Sequence, residues 1–210
     1  MKRTPLALIL LLLGSCAAWA GSVCPAASGA NSFPHPPDPM GTGCNVLITV
    51  NANGTTTITV TDSTPYENSE DVLVGVKNNS STPVTSLALN GGSANDIFGF
   101  DGDGICTFTF VGSSYCTSAY YQSDPGDYAG PNNTLTATNA TAGTVNFSPA
   151  VAANGGTSYF SLEGVPSASI SATVGTGTAT TTTVPALSTW GLALLAVLLM
   201  GLSVRMLKRA

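Results

Sequence analysis

The chain reads as all-β, with two sheets packed face to face between an exported leader and a membrane-length tail. Three observations predict this. Short β-branched runs recur between Val46 and Val174. Gly, Asn and Pro turn signals separate them. No amphipathic helix of useful length appears between residues 45 and 174. A single immunoglobulin-like β-sandwich over 45–174 is the expected architecture, with the strand order left open.

The leader comes first. Lys2 and Arg3 precede an apolar run, Leu6 to Leu13, and Ala18-Trp19-Ala20 follows. This is the charged, apolar and small-residue order of a signal peptide over 1–20, with cleavage before Gly21. A rival reading takes Leu13-Gly14-Ser15-Cys16 as a lipoprotein signal with Cys16 lipidated. Either way the mature chain meets an oxidising compartment. Residues 21–44 are rich in Pro, Ser, Gly and Ala, and read as an extended arm.

The strands follow in order. Val46 to Val50 and Thr56 to Val60 flank Asn51-Ala52-Asn53-Gly54, whose Asn-Gly pair suits a hairpin turn. Val72 to Val76 ends at the turn pair Asn78-Asn79. In Val84 to Leu89, strict alternation sets Val84, Ser86 and Ala88 against Thr85, Leu87 and Leu89. Ile97 to Phe100, Ile105 to Val111, Thr134 to Thr138, Thr144 to Phe147, Ser158 to Leu162 and Ser169 to Val174 complete the set. The expected core includes Ile48, Ile58, Val74, Val76, Leu87, Leu89, Phe98, Phe108, Phe110, Phe147, Phe160 and Leu162. Residues 175–183, almost all Thr, Gly, Ala and Val, read as a stalk.

Cys24, Cys44, Cys106 and Cys116 remain after leader removal and allow three pairings. The local pairs Cys24–Cys44 and Cys106–Cys116 are expected, the second closing a hairpin through Gly112-Ser113-Ser114. A cysteine metal site has little support, since no CxxC occurs and His35 is the only histidine.

Charge excludes one class of function. The body between leader and tail holds one lysine, Lys77, against all 11 acids, a net −10. Such a surface repels phosphate backbones, so nucleic acid is not an expected partner. It can attract cations. Asp101-Gly102-Asp103-Gly104 is the sharpest polar cluster, and its carboxylates suit a hard ion such as Ca²⁺. It is not an EF-hand loop: Cys106 stands where Gly is needed and Gly112 where the closing Glu belongs. Asp96, Asp124 or Asp127 would have to add ligands, and a plain Asp-Gly turn is the competing explanation. Apart from this possible Ca²⁺, no cofactor is expected.

Enzyme readings are poor. A lone His35 in a Pro-rich arm gives no triad, and Asp101 and Asp103 share one short loop. The chain therefore reads as non-enzymatic. Tyr120-Tyr121 are adjacent, so both rings cannot easily point inward, and they are the candidate glycan contacts. A Ca²⁺-assisted polysaccharide-binding module is the alternative reading, and an extracellular hydrolase the weakest one.

The tail, 184–210, has three parts. Val184-Pro185-Ala186-Leu187-Ser188-Thr189-Trp190-Gly191 leads into an uncharged apolar stretch, and Arg205, Lys208 and Arg209 close it. As a helix over 187–204 the stretch would be roughly 27 Å long, close to the ~30 Å hydrocarbon core. The basic end should stay cytoplasmic and the body outside. A plain single-span anchor explains the hydrophobicity but not the motif. Pro185, Leu187, Trp190 and Gly191, with Val184 as a mild change from Ile, make the segment resemble the IPTL-CTERM signal, a relative of PEP-CTERM signals of Gram-negative bacteria. Ala186 departs from the family's Thr. The resemblance implies an exosortase, a membrane protease that cuts near the motif. It also implies transient anchoring in the inner membrane, then release to the cell surface or extracellular matrix, with a role in biofilm or exopolysaccharide.

The body carries a second resemblance. Ser69 to Val76 with Asn78-Asn79, Ile97 to Cys106, Asp127 to Pro131 and Gly143 to Gly164 are similar to a module recurring in proteins with PEP-CTERM-type tails. It covers roughly residues 66 to 174 and implies an extracellular β domain without assigned catalytic residues.

Overall fold

A computed structural model describes residues 22–25, 40–67, 69–107, 114–117 and 119–177. The leader, most of the arm, the stalk from residue 178 and the whole tail lie outside these residues, and the expected span 187–204 with them. Among the described residues no helix is long and apolar enough to cross a membrane.

Eight strands form two four-stranded sheets. They are β1 (Val46–Val50), β2 (Thr56–Val60), β3 (Val72–Asn78), β4 (Val84–Asn90), β5 (Asn133–Asn139), β6 (Ala142–Val151), β7 (Gly156–Leu162) and β8 (Ser171–Thr176). The first sheet has the order β2-β1-β3-β7 and the second β5-β6-β4-β8. The Asn53-Gly54 turn joins β1 to β2 as expected, with Gly54 at φ +81°, where a glycine meets no steric cost. β1 and β3 run parallel. A parallel pair needs a crossover, here the chain through β2 and the loop beyond it, which local turn signals do not announce.

One core lies between the sheets. Val46, Ile48, Val72, Val74, Val76, Phe160 and Leu162 of the first meet Leu87, Leu89, Val145 and Phe147 of the second. Ile58 is half-buried against this core, and Phe108 and Phe110 lie outside the described residues. The first sheet is covered on its other face too. Cys24, Cys44, Tyr66, Leu73 and Ile105 form a second apolar cluster there. That explains the run Val72-Leu73-Val74 without alternation: β3 is paired on both edges and buried on both faces.

Both expected disulfides are present, Cys24–Cys44 and Cys106–Cys116, each with Cα atoms 5.2 Å apart. The first sits over Gly75, where an added Cβ would lie 2.4 Å from the Cys44 sulfur. The hairpin expected inside the second falls mostly on residues outside the described ones. Cys106 lies in a turn, and Cys116 in a short 3-10 helix, Ser114–Thr117.

Two expected strands need correction. Ile97 to Phe100 forms turns: the Gly99 N–H donates to the Asp96 carbonyl at 2.7 Å. Ile97 and Phe98 are both buried side by side, so they do not alternate across a sheet. Of Ile105 to Val111, the described part, 105–107, is also turn, with the Thr107 N–H donating to Gly104.

Candidate functional site

β3 and β7 pair antiparallel, ending with Val72 opposite Leu162. One step further, the same register sets Asp71 opposite Glu163, and opposed residues share a face. The loop 101–104 comes up beside them. Gly102 takes φ +97°, which lets the loop turn sharply between its two aspartates. Gly104 leaves room for the Tyr128 ring, since a Cβ there would lie 2.7 Å from it. The Asp-Gly turn and the carboxylate cluster are therefore one feature.

The outcome is a knot of acids. One carboxylate oxygen each from Asp71, Asp103 and Glu163 lies within 4.8 Å of the others. Asp71 has no exposed surface and Glu163 only 5 %. The Tyr66 hydroxyl donates to Asp71 Oδ2 at 2.5 Å. The other oxygen, Asp71 Oδ1, is buried without a hydrogen-bond partner. Fully buried Tyr128 donates its single proton to Glu163 Oε1. Its oxygen also stands 3.0 Å from Asp103 Oδ1 and 3.3 Å from Asp101 Oδ1, and the Asp103 N–H donates to it at 3.3 Å. One hydroxyl proton cannot serve three carboxylates.

The acids bear the mark of this crowding. Burial, reinforced by Glu163, Asp103 and Glu67 and partly offset by the Tyr66 hydrogen bond, pushes Asp71 up to about 9. Burial also raises Asp103 and Glu163, each to about 6, with Asp101 adding repulsion to both. The Tyr66 and Tyr128 hydroxyls are pushed up by burial first and by the neighbouring carboxylates second. Lys77, the one lysine or arginine of the described residues, sits at the far end of β3, about 20 Å along the strand.

A polar cleft of about 420 Å³, bordered by Glu70, Asn95, Asp96, Asp101 and Glu163, opens beside the knot. Asp71, Asp103 and Glu163, with Asp101 at their edge, are oxygen donors of the kind a hard cation takes.

Of the acids expected from sequence, Asp103 lies inside this group and Asp101 on its edge; Asp96 borders the cleft. Asp124 lies near Gly102, whose added Cβ would stand 3.6 Å from its Oδ1. Asp127 is raised by burial and then by Asp124. Sequence reasoning misses Asp71 and Glu163. Each borders an apolar strand run, but only the β3–β7 register makes them neighbours. Tyr121 is half-buried against the main core; the Tyr120 side chain lies outside the described residues.

The described chain is thus an all-β, two-sheet, disulfide-bridged domain with an acidic pocket at one sheet end. Residues 182–209 match the IPTL-CTERM motif, so the chain carries this C-terminal sorting signal. No curated protein and no solved structure matches the chain.

Proposed function

We propose that this is an exported, non-enzymatic surface or extracellular-matrix protein whose tail is processed by an exosortase-type membrane protease. The IPTL-CTERM motif at 182–209 carries the reading. Pro185, Leu187, Trp190 and Gly191 supply the recognised motif, residues 187–204 hold it in the inner membrane of a Gram-negative host, and Arg205, Lys208 and Arg209 stop translocation. Two disulfides support it independently, because such bridges persist where the chain has left the reducing cytoplasm. The sandwich, as an immunoglobulin-like variant, is the displayed body, and exopolysaccharide is the partner the surface location suggests. A glycan-binding role has less support, since Tyr121 packs its ring on the core.

The test is motif substitution in the native host. Trp190→Ala with Pro185→Ala should leave the chain in the inner membrane at unprocessed mass, while the parent reaches the surface. Equal surface display of both would overturn the proposal.

A further inference from the structure

We propose that Asp71, Asp103 and Glu163, with Asp101 at the rim, form a binding site for one Ca²⁺ ion. This goes beyond the sorting reading and does not depend on it.

The first support is geometric. Ca²⁺ holds oxygens at about 2.3–2.6 Å, so two ligands on opposite sides are about 4.6–5.2 Å apart. The three carboxylate oxygens here lie within 4.8 Å of one another, which fits that sphere without moving a strand. Mg²⁺ wants a tighter octahedron and gives up its water reluctantly. A pocket whose deepest ligand, Asp71, has no solvent contact favours the larger ion.

The second support is the orphan oxygen. Asp71 Oδ1 is buried without a partner, and a buried acceptor left unmade is costly. It belongs to a side chain whose carboxylate is within reach of the other two. Tyr66 occupies only the opposite oxygen, Oδ2, so it orients the carboxylate and leaves Oδ1 open to a cation. Tyr128 plays a similar part for Glu163, tying down Oε1 and leaving the second oxygen.

The third support is the missing counter-charge. Buried carboxylates are normally paired with cations or metals. Lys77 is about 20 Å away along β3, so no side-chain cation of the described residues can do this. An acid-lined cleft bordered by Asp101 and Glu163 reaches the rim of the site from outside. Asp71 and Glu163 with one oxygen each and Asp103 with one or two, together with Asp101 and water, reach the six to eight oxygens Ca²⁺ takes.

The experiment uses the full-length chain, exported and purified in detergent. Thermal midpoints are compared in Ca²⁺, in Mg²⁺ and in chelator. At a hundredfold excess over Kd, Ca²⁺ should raise the midpoint by roughly 5–10 °C. Asp71→Asn and Glu163→Gln should each lose most of that rise, and Asp96→Asn, exposed at the cleft, should keep it. Because Tyr66 and Tyr128 adjoin the site, Tb³⁺ bound there should emit on tyrosine excitation, and Ca²⁺ should quench that emission by displacement. This second measurement needs no variant to fold. Equal midpoints in Ca²⁺ and chelator, or tyrosine-sensitised emission that Ca²⁺ fails to displace, would overturn the proposal. So would a full Ca²⁺ response in Asp71→Asn.

Discussion

Gly75→Ala probes how the arm is held on the sheet. Gly75 lies mid-β3, on the face opposite the main core. A Cβ there would stand 2.4 Å from the Cys44 sulfur, 2.8 Å from Val23 Cγ1 and 3.2 Å from the Cys24 sulfur. Carbon contacts settle near ~3.5–4.0 Å, so the first overlap exceeds an ångström. The sulfur cannot swing aside, because it is bonded to Cys24. Overpacking of this kind costs about 1–3 kcal/mol. Alanine in place of glycine in a strand returns roughly 0.5–1 kcal/mol of that. The net loss is then up to about 2.5 kcal/mol, and with an overlap this large it should lie in the upper half of that range. Urea unfolding followed by far-UV circular dichroism should show it as a lower midpoint at unchanged slope. The decisive comparison is the same substitution in a Cys24→Ala, Cys44→Ala background. Losing the bridge, whose cysteines are 20 residues apart, should itself cost about 3 kcal/mol. With the sulfurs gone, Gly75→Ala should then cost less than about 0.5 kcal/mol. An equal cost in both backgrounds would refute the packing of the disulfide on this face.

Three further outcomes are expected. Phe160 is fully buried between the sheets with its ring 6.4 Å from Phe147, so Phe160→Ala should cost about 3–5 kcal/mol in urea unfolding, and a loss under about 1 would contradict the core as described. Tyr66→Phe removes the donor to Asp71 Oδ2 and should cost about 1–3 kcal/mol by the same assay in chelator; no change would mean that bond is not formed. The metal-free domain should also lose stability with rising pH. Asp71, faced by Tyr66, Glu67, Asp103 and Glu163, is pushed up to about 9, so the folded state keeps a proton that the unfolded chain releases near the ordinary carboxylate range. The stability is whole in acid and falls as pH climbs through that window toward 9, by on the order of 1 kcal/mol per pH unit. In chelator, the urea midpoint at pH 8 should be below that at pH 5; a midpoint rising over this range would contradict the burial of Asp71.

Much of the fold is legible because strand signals are local. The β1 and β2 runs and their Asn53-Gly54 turn lie within fifteen residues, and the structure pairs the two strands antiparallel across that turn. Where strand composition misleads, a tertiary contact decides. In β4, alternation puts Val84 opposite in facing to Leu87 and Leu89, yet all three are buried. A register shift between Val84 and Ser86 lies between them, and a bulge of that kind changes the facing of the residues beyond it. Ile97 to Phe100 has strand composition, but the Phe98 N–H finds its acceptor in Ala140, more than forty residues on, and the segment folds as turn. The site divides the same way. Asp101 and Asp103 stand out as a local motif. Asp71 and Glu163 are 92 positions apart and meet only through the β3–β7 pairing, which no short-range pattern specifies.

The sorting reading is tested most directly by intact mass and terminal peptide mapping of the protein recovered from its native host. A chain that begins at Gly21 and ends near the Val184–Gly191 motif, with any added mass marking its acceptor, is the predicted product. A chain still carrying Arg205 to Ala210 would make this an ordinary membrane-anchored ectodomain and contradict processing by an exosortase.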